Sequence, residues 1–287
     1  MTTGTDAARD HWRDVLEAGG ATAIPRWTRT PVPGTAEHET PVPAGDVAAL
    51  RRLADDLGLP LRTLLLAAHA AVLAALSGES DVVSAYVPEG GGPLLPCRLA
   101  TGAGSWRSLI LETHRGEAAL LAHADHPVDD LADQLGLPVP LGEAVFDAAG
   151  RGTEPGTGTV VAVSFPRRGD ALLLRLGYRT DAIDEPCARR IAGYHLHALA
   201  LMTSDPDAAH RPSALLSPEE VHRQLVELAG PVRPLPDRRV HELVEEHART
   251  RPDAVAGVHG DRRWTYRELN GRANRLARAL LARGLQR

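Results

Sequence analysis

The sequence predicts an α/β fold of the sandwich type, and three observations carry that prediction. Helical and strand patterns follow one another irregularly, which favours a sandwich over strict βαβ repeats. The run from Leu61 to Leu76 is apolar nearly all round, the mark of a buried helix. Two apolar, β-branched runs, Thr159 to Phe165 and Ala171 to Tyr178, flank the turn residues Pro166 to Asp170, which is a hairpin signal.

Each element follows from local pattern. Asp6 to Leu16 reads as a short helix, with Trp12, Val15 and Leu16 able to share a face. The Pro-rich stretch Pro25 to Pro43 is largely extended, because each proline fixes its own φ and restrains its predecessor. From Asp46, Val47, Leu50, Leu53, Ala54 and Leu57 recur at helical spacing, and Gly58 supplies a stop; the apolar helix after it ends at Gly78. Asp81 to Val87 is a strand. Gly90 to Gly104 is a loop around one short extended piece, and Trp106 to Ala122 is helical. A further helix follows His126-Pro127 and runs to about Leu135, and a long one, capped by Asp184, runs to Thr203. Composition shifts at Ser204 to Pro212 and at Gly230 to Arg239, with a short helix, Pro218 to Leu228, between these two linkers. Beyond them come a helix from Val240 to Thr250, strands Ala254 to His259 and Arg263 to Thr265 around a Gly260-Asp261 turn, and a helix from Arg267 to Arg283. This last unit is small for a domain by itself, so the chain is expected to stop shortly after a second domain has begun.

Composition narrows the function. The chain has 287 residues, 43% of them hydrophobic, with a formal net charge of -5, which suits a globular protein of about two domains. The acidic balance weakens any case for nucleic acid as the main partner. All 32 basic residues are Arg. A Schiff-base lysine, a P-loop lysine and a lysine clamp on an adenylate are therefore impossible within this sequence. Cys97 and Cys187 are too few for a disulfide framework or a Cys-based zinc site. The longest apolar run, Leu64 to Leu76, falls short of the ~20 residues that span a bilayer, and no secretory signal opens the chain, so a cytoplasmic protein is expected.

Chemistry-bearing motifs are sparse. No serine stands in a Gly-x-Ser-x-Gly elbow, and Gly156-Thr157-Gly158 lacks the third glycine of a dinucleotide loop because Val161 takes its place. His123, Asp125, His126, Asp129 and Asp130 are the densest set of ligand-type side chains. His126 and Asp130, four apart, have metal-ligand spacing on a helix, while Pro127 and the acids equally suit an ordinary helix start. His195 and His197, two apart on a helix, face different directions and make no chelating pair. Trp264, Tyr266 and Leu269 flank a strand-to-helix junction and read as core. No catalytic, cofactor-binding or metal-binding residue is assigned.

Two stretches carry a family resemblance. His241-Glu242-Leu243-Val244-Glu245, Arg251-Pro252-Asp253-Ala254-Val255-Ala256, Trp264-Thr265-Tyr266-Arg267-Glu268-Leu269-Asn270 and Ala273-Asn274-Arg275-Leu276-Ala277 resemble the opening of an amino-acid adenylation domain of nonribosomal peptide synthetases. Leu215-Leu216-Ser217-Pro218-Glu219-Glu220 resembles the helix that bridges condensation and adenylation domains in those enzymes. From about Asp6 to Asp207 the chain is similar to the C-terminal half of a condensation domain, whose fold is related to chloramphenicol acetyltransferase. His11-Trp12-Arg13, Leu65-Leu66-Ala67-Ala68, Ser77 to Val83 and Arg175-Leu176-Gly177-Tyr178 fit its elements, and His123, Asp125 and Pro127 match its His-Gln-Asp-x-Pro-Phe-Glu motif.

The departures shape the expected function. The family's His-His-x-x-x-Asp-Gly motif, whose second His assists attack of an amine on a thioester, is absent, and no two histidines are adjacent. The Phe-Val-Asn-Thr motif between halves is reduced to Pro93 to Arg98, and the Arg-Asp-x-Ser-Arg-Asn-Pro-Leu motif to Pro140-Leu141. The resemblance thus implies a truncated condensation-like lobe over 1–205, a linker with one bridging helix over 206–238, and an adenylation-domain fragment over 239–287. Its implied work is a non-catalytic platform or recruitment surface; the alternative is half of a split condensation enzyme, completed in trans by a chain bearing the His-His motif. ATP, magnesium and a phosphopantetheine carrier are implied for the parent enzyme, not for these residues. The implied partners are the chain's own adenylation domain and a carrier protein, tailoring enzyme or other synthetase subunit.

Overall fold

The computed structural model describes residues 2–102, 104–139, 141–156, 158–211, 215–234 and 237–285. Two compact units divide between Leu225 and Val226. Unit 1 is built on one sheet whose spatial order is β1-β7-β5-β4-β2-β3. Its strands are β1 (Thr35–Pro41), β2 (Asp81–Val87), β3 (Leu95–Ala100), β4 (Ala144–Asp147), β5 (Val161–Ser164) and β7 (Ala171–Arg179), with β6 (Arg167–Arg168) folding back on β7. β2, β4 and β5 run parallel, and the other pairings are antiparallel.

The helices are α1 (Thr2–Ala18), α2 (Ala44–Leu57), α3 (Leu61–Ser77), α4 (Trp106–Ala122), α5 (Val128–Leu135), α6 (Glu185–Ser204) and the short α7 (Pro218–His222). α2, α3 and α5 each end on a left-handed glycine, Gly58, Gly78 and Gly136, as their sequences require. Asp184 caps α6 by accepting from the Cys187 amide. The expected hairpin is present as β5 and β7, joined through β6. β4 has no counterpart in the sequence reading, because four residues between a Pro-rich loop and a Gly-rich loop make too short a pattern to detect.

Strand alternation sorts the sheet into two faces. Val82, Ser84, Tyr86, Ala144, Phe146, Val163, Leu174 and Leu176 are buried on the side of the helices. Ala85, Val145 and Ala162, in direct register across three strands, and Gly177 beside them on β7, line the other side. α3 is buried along almost its whole length, as its all-round apolar sequence requires.

Unit 2 holds α8 (Val240–Thr250), β8 (Val255–His259), β9 (Arg262–Thr265) and α9 (Tyr266–Ala282), with β8 and β9 as an antiparallel ribbon. Thr265 caps α9 through a reciprocal capping box with Glu268. No described side chain of α8 or α9 is buried.

Candidate functional site

The interior of unit 1 contains a polar chain across α6, α3 and β2. His195 Nδ1 lies 2.8 Å from the Ile191 carbonyl, His195 Nε2 lies 3.3 Å from His69 Nδ1, and His69 Nε2 lies 3.1 Å from Ser84 Oγ. Hydrogen-bond logic fixes the protons. A carbonyl only accepts, so His195 carries its hydrogen on Nδ1 and accepts at Nε2. His69 then donates from Nδ1 and accepts at Nε2 from the Ser84 hydroxyl. That hydroxyl also faces the carbonyls of Ala85 and Ala144 at 3.1 and 3.2 Å. The order serine, histidine, second polar group resembles an activated nucleophile. Its setting does not: His69 and Ser84 are 0% exposed and His195 1%. Burial pushes the His195 imidazole down to about 4 and His69 well below its ordinary value, so both rings are neutral.

A second polar knot surrounds Glu117 of α4, which is buried. Its carboxylate accepts from Tyr86 Oη at 2.7 Å, Arg62 Nε at 3.0 Å and Thr63 Oγ1 at 2.5 Å. Burial, then the neighbouring Glu117, holds the Tyr86 hydroxyl well above its usual range. Burial pushes the Cys97 thiol up to about 12 and raises Cys187, so neither is a ready thiolate. A cavity of about 450 Å³ opens outside the carboxyl ends of the parallel strands, floored by Phe146, Phe165 and Leu65 and rimmed by Arg62, Glu89 and Arg167. None of Ser84, His69 and His195 lines it.

The second face of the sheet is covered over β2, β4 and β5 by segments of unit 1 itself. Glu143 accepts from the Ile24 amide at 2.8 Å and from both Nη atoms of Arg26 at 2.7 and 2.5 Å. The Arg26 guanidinium holds the Glu143 carboxyl below the usual carboxylate range. Gly142, at φ +69°, approaches so closely that a Cβ would stand 2.7 Å from the Val83 carbonyl. Buried Asp147 organises the following loop by accepting from the amides of Ala149, Gly152 and Thr153 and from Thr153 Oγ1. That loop lays Pro155 over Gly177, where a Cβ would meet Pro155 Cδ at 3.1 Å. Ala85, Val145 and Ala162 are buried beneath this cover.

The residues singled out in the sequence scatter. His123 packs its ring 4.8 Å from that of His11, and its carbonyl accepts from Trp12 Nε1 at 2.9 Å. Asp129 and Asp130 occupy the first turn of α5. Among the described residues no group of three or more His, Cys, Asp or Glu side chains gathers for a metal. Gly156 and Gly158 lie in a loop; Thr157 between them and Pro140 fall outside the described residues. His195 is part of the buried chain, and His197 is half-buried. The core expected of Trp264, Tyr266 and Leu269 is corrected: the first two are half-buried and Leu269 is 38% exposed. Two helices and a two-stranded ribbon have too little surface to enclose a side chain completely. Ser84 and Glu117 carried no motif; the available signal for Ser84 was one polar residue within the apolar run Val82 to Val87, and Glu117 stood among other polar residues of its helix with none.

Comparison with known proteins gives a consistent picture. The model of the AMP-binding enzyme family matches residues 244–287. Tyrocidine synthase 3 of Brevibacillus parabrevis is 25% identical over 272 residues, covering 83% of this chain and 4% of its own length. Surfactin synthase subunit 1 of Bacillus subtilis is 26% identical over 277 residues, covering 84% and 8%. This chain therefore spans less than a tenth of either relative. Among solved structures, a four-domain nonribosomal peptide synthetase bound to AMP and glycine matches 100% of this chain and 26% of its own, at TM-score 0.65 and 16% identity. The condensation domain of the Monacolin K polyketide synthase matches 71% and 58%, at 0.59 and 18%. The X-domain complexed with OxyB from teicoplanin biosynthesis matches 74% and 55%, at 0.61 and 19%. At these identities the structural likenesses give the fold: a condensation-type α/β lobe.

Proposed function

We propose that this chain, a member of the nonribosomal peptide synthetase family, supplies a non-catalytic condensation-type lobe that serves as a structural platform or partner-recruitment surface in a synthetase module. The observation that carries the reading is the burial of the lobe's histidine pair. Its only mutually bonded imidazoles among the described residues, His69 and His195, are buried with Ser84, and the Ala85–Val145–Ala162 row of its second sheet face lies under its own residues 22–26, 142–143 and 149–155. A base that cannot meet an amine cannot assist its attack on a thioester.

In this reading residues 1–205 are the lobe, 206–238 the linker with its bridging helix, and 239–287 the opening of the adenylation region. The parent activates an amino acid with ATP and magnesium and loads it on a phosphopantetheine carrier in the cytoplasm. Having no lysine, these residues supply no lysine clamp for an adenylate. We assign adenylation to the parent enzyme. Recruitment is supported by the likeness to an X-domain solved in complex with OxyB. The partner kept in view is a tailoring enzyme, a carrier protein or another synthetase subunit, beside the chain's own adenylation region.

The test is to delete residues 1–205 from the native enzyme. Loss of partner capture, solubility or product, with amino-acid adenylation retained, is the expected result. Unchanged binding, solubility and product formation would rule the platform out. The competing reading, a condensation enzyme completed in trans, has one observation in its favour: the solved condensation domain extends well beyond the part matched here. Amide formation appearing only when a His-His-bearing half is added would replace the platform reading. A half that used the second sheet face would first have to displace the segments covering it.

A further inference from the structure

Unit 1 closes by drawing a short helix onto α6. Ser217 caps that helix, α7, its Oγ accepting from the Glu220 amide at 3.2 Å. Glu220 turns inward and is 7% exposed, whereas Pro218, Glu219 and Val221 beside it are exposed. Opposite it, Arg190 of α6 lays its guanidinium over the Trp27 ring, 5.2 Å from the centroid, and donates from Nη1 to Glu220 Oε1 at 3.1 Å. Its Nη2 meets Cys187 Sγ at 2.9 Å. Gln224 Nε2 donates to the same Oε1 at 2.8 Å. Leu215 is buried just before the cap. Past Gln224 the apolar side chains Leu225, Val226 and Leu228 are all exposed.

We infer that the Arg190–Glu220 contact, backed by Trp27, is a releasable latch that sets the reach of the connecting segment. Closed, it makes the chain leave unit 1 at Gln224. Open, it makes the chain leave at about Ser217 and adds eight residues, 217 to 224, to the tether. That is roughly 25 Å of additional reach when extended. Three features make the contact a latch and not a permanent weld. It runs through one carboxylate oxygen, unlike the two-pronged Arg26–Glu143 pair. Arg190 Nε is buried without a hydrogen-bond partner, so opening returns a donor to water. The helical segment it holds, α7 with the π-helical turn Arg223–Glu227 that continues it, is too short to persist alone. The inference concerns unit 1 only and stands whichever functional reading holds.

Trypsin cleavage after Arg223 in the full chain reads the latch, because that exposed arginine lies one turn beyond Glu220 and is cut only from an opened segment. The closed latch predicts cleavage after Arg223 well slower than at Arg238 and Arg239 in the connecting segment. Arg190→Ala is expected to speed cutting after Arg223 on the order of tenfold, the loss of a hydrogen bond to a shielded carboxylate, with no change at Arg238. The double exchange Arg190→Glu with Glu220→Arg is expected to restore most of the protection. If Arg190→Ala does not fold, Glu220→Ala reports the same opening from the α7 side of the contact, and amide exchange over 217–224 reads it without a protease. Equal cutting after Arg223 and Arg238 in the unaltered chain would overturn the latch. So would no acceleration in a folded Arg190→Ala or Glu220→Ala chain.

Discussion

Ser84, His69 and His195 make catalytic-looking chemistry structural by burial alone. Both imidazoles are neutral in the fold because no carboxylate accompanies them and burial penalises their charged forms. The sign of their pH dependence follows. In the unfolded chain each ring takes a proton below its ordinary value of about 6.5; in the fold His195 does not until about 4, and burial holds His69 well below its ordinary value. Their cost is absent above pH 6.5, and stability falls as pH drops from there towards 4, by up to ~1.4 kcal/mol per pH unit for each ring. Urea midpoints between pH 7 and 5, where the carboxylates titrate little, should show this slope, and a folded His69→Leu/His195→Leu variant should flatten it. Glu117 is the opposite case, a buried charge whose removal orphans three donors. Glu117→Ala is expected to cost about 3 kcal/mol in urea unfolding, because Arg62 keeps its charge and loses its buried partner.

At the scale of elements, the sheet gives its two faces different tasks. Large side chains on one face, such as Tyr86 and Phe146, interlock with α3, while the small row Ala85, Val145, Ala162 and Gly177 leaves room for loops to lie flat. Gly142 depends on that closeness twice, through its positive φ and its contact with the Val83 carbonyl. Gly142→Ala is expected to destabilise unit 1 by about 2 kcal/mol or more and to raise amide exchange in residues 141–156, readable by mass spectrometry. A surface position such as Gly45, which has open space and no positive φ, should tolerate the same change. Most elements were legible in the sequence because caps and breakers sit at their ends: Gly58, Gly78 and Gly136 stop helices, and Asp184 starts one. β4 was not, since a strand of four residues is recognised only by its neighbours β2 and β5.

Across the whole molecule the two units differ in kind. Unit 1 encloses a continuous core from Trp12 to Leu215. Unit 2 has well-capped, amphipathic helices but leaves Leu276, Leu280 and Leu281 open, so its elements hold by local rules and little enclosure. In this 287-residue chain, amides of α8 and α9 should exchange with solvent orders of magnitude faster than those of α3 and β5, at any pH where unit 1 is folded. Equal protection in the two units would show that unit 2 gains a core of its own.

By itself the sequence determined the order of the helices, the near-total burial of α3, the absence of lysine chemistry and the resemblance at Trp264 to Asn270, all of which are local patterns or composition. Only the tertiary structure decided which polar residues meet. His69 and His195 are separated by 126 positions, and Thr63 and Glu117 by 54. Periodicity reports which way a side chain faces, but not what stands opposite it once strands pair out of order. The scattering of the His123 to Asp130 set and the meeting of Arg190 with Glu220 were settled in the same way, by packing between elements far apart in the chain.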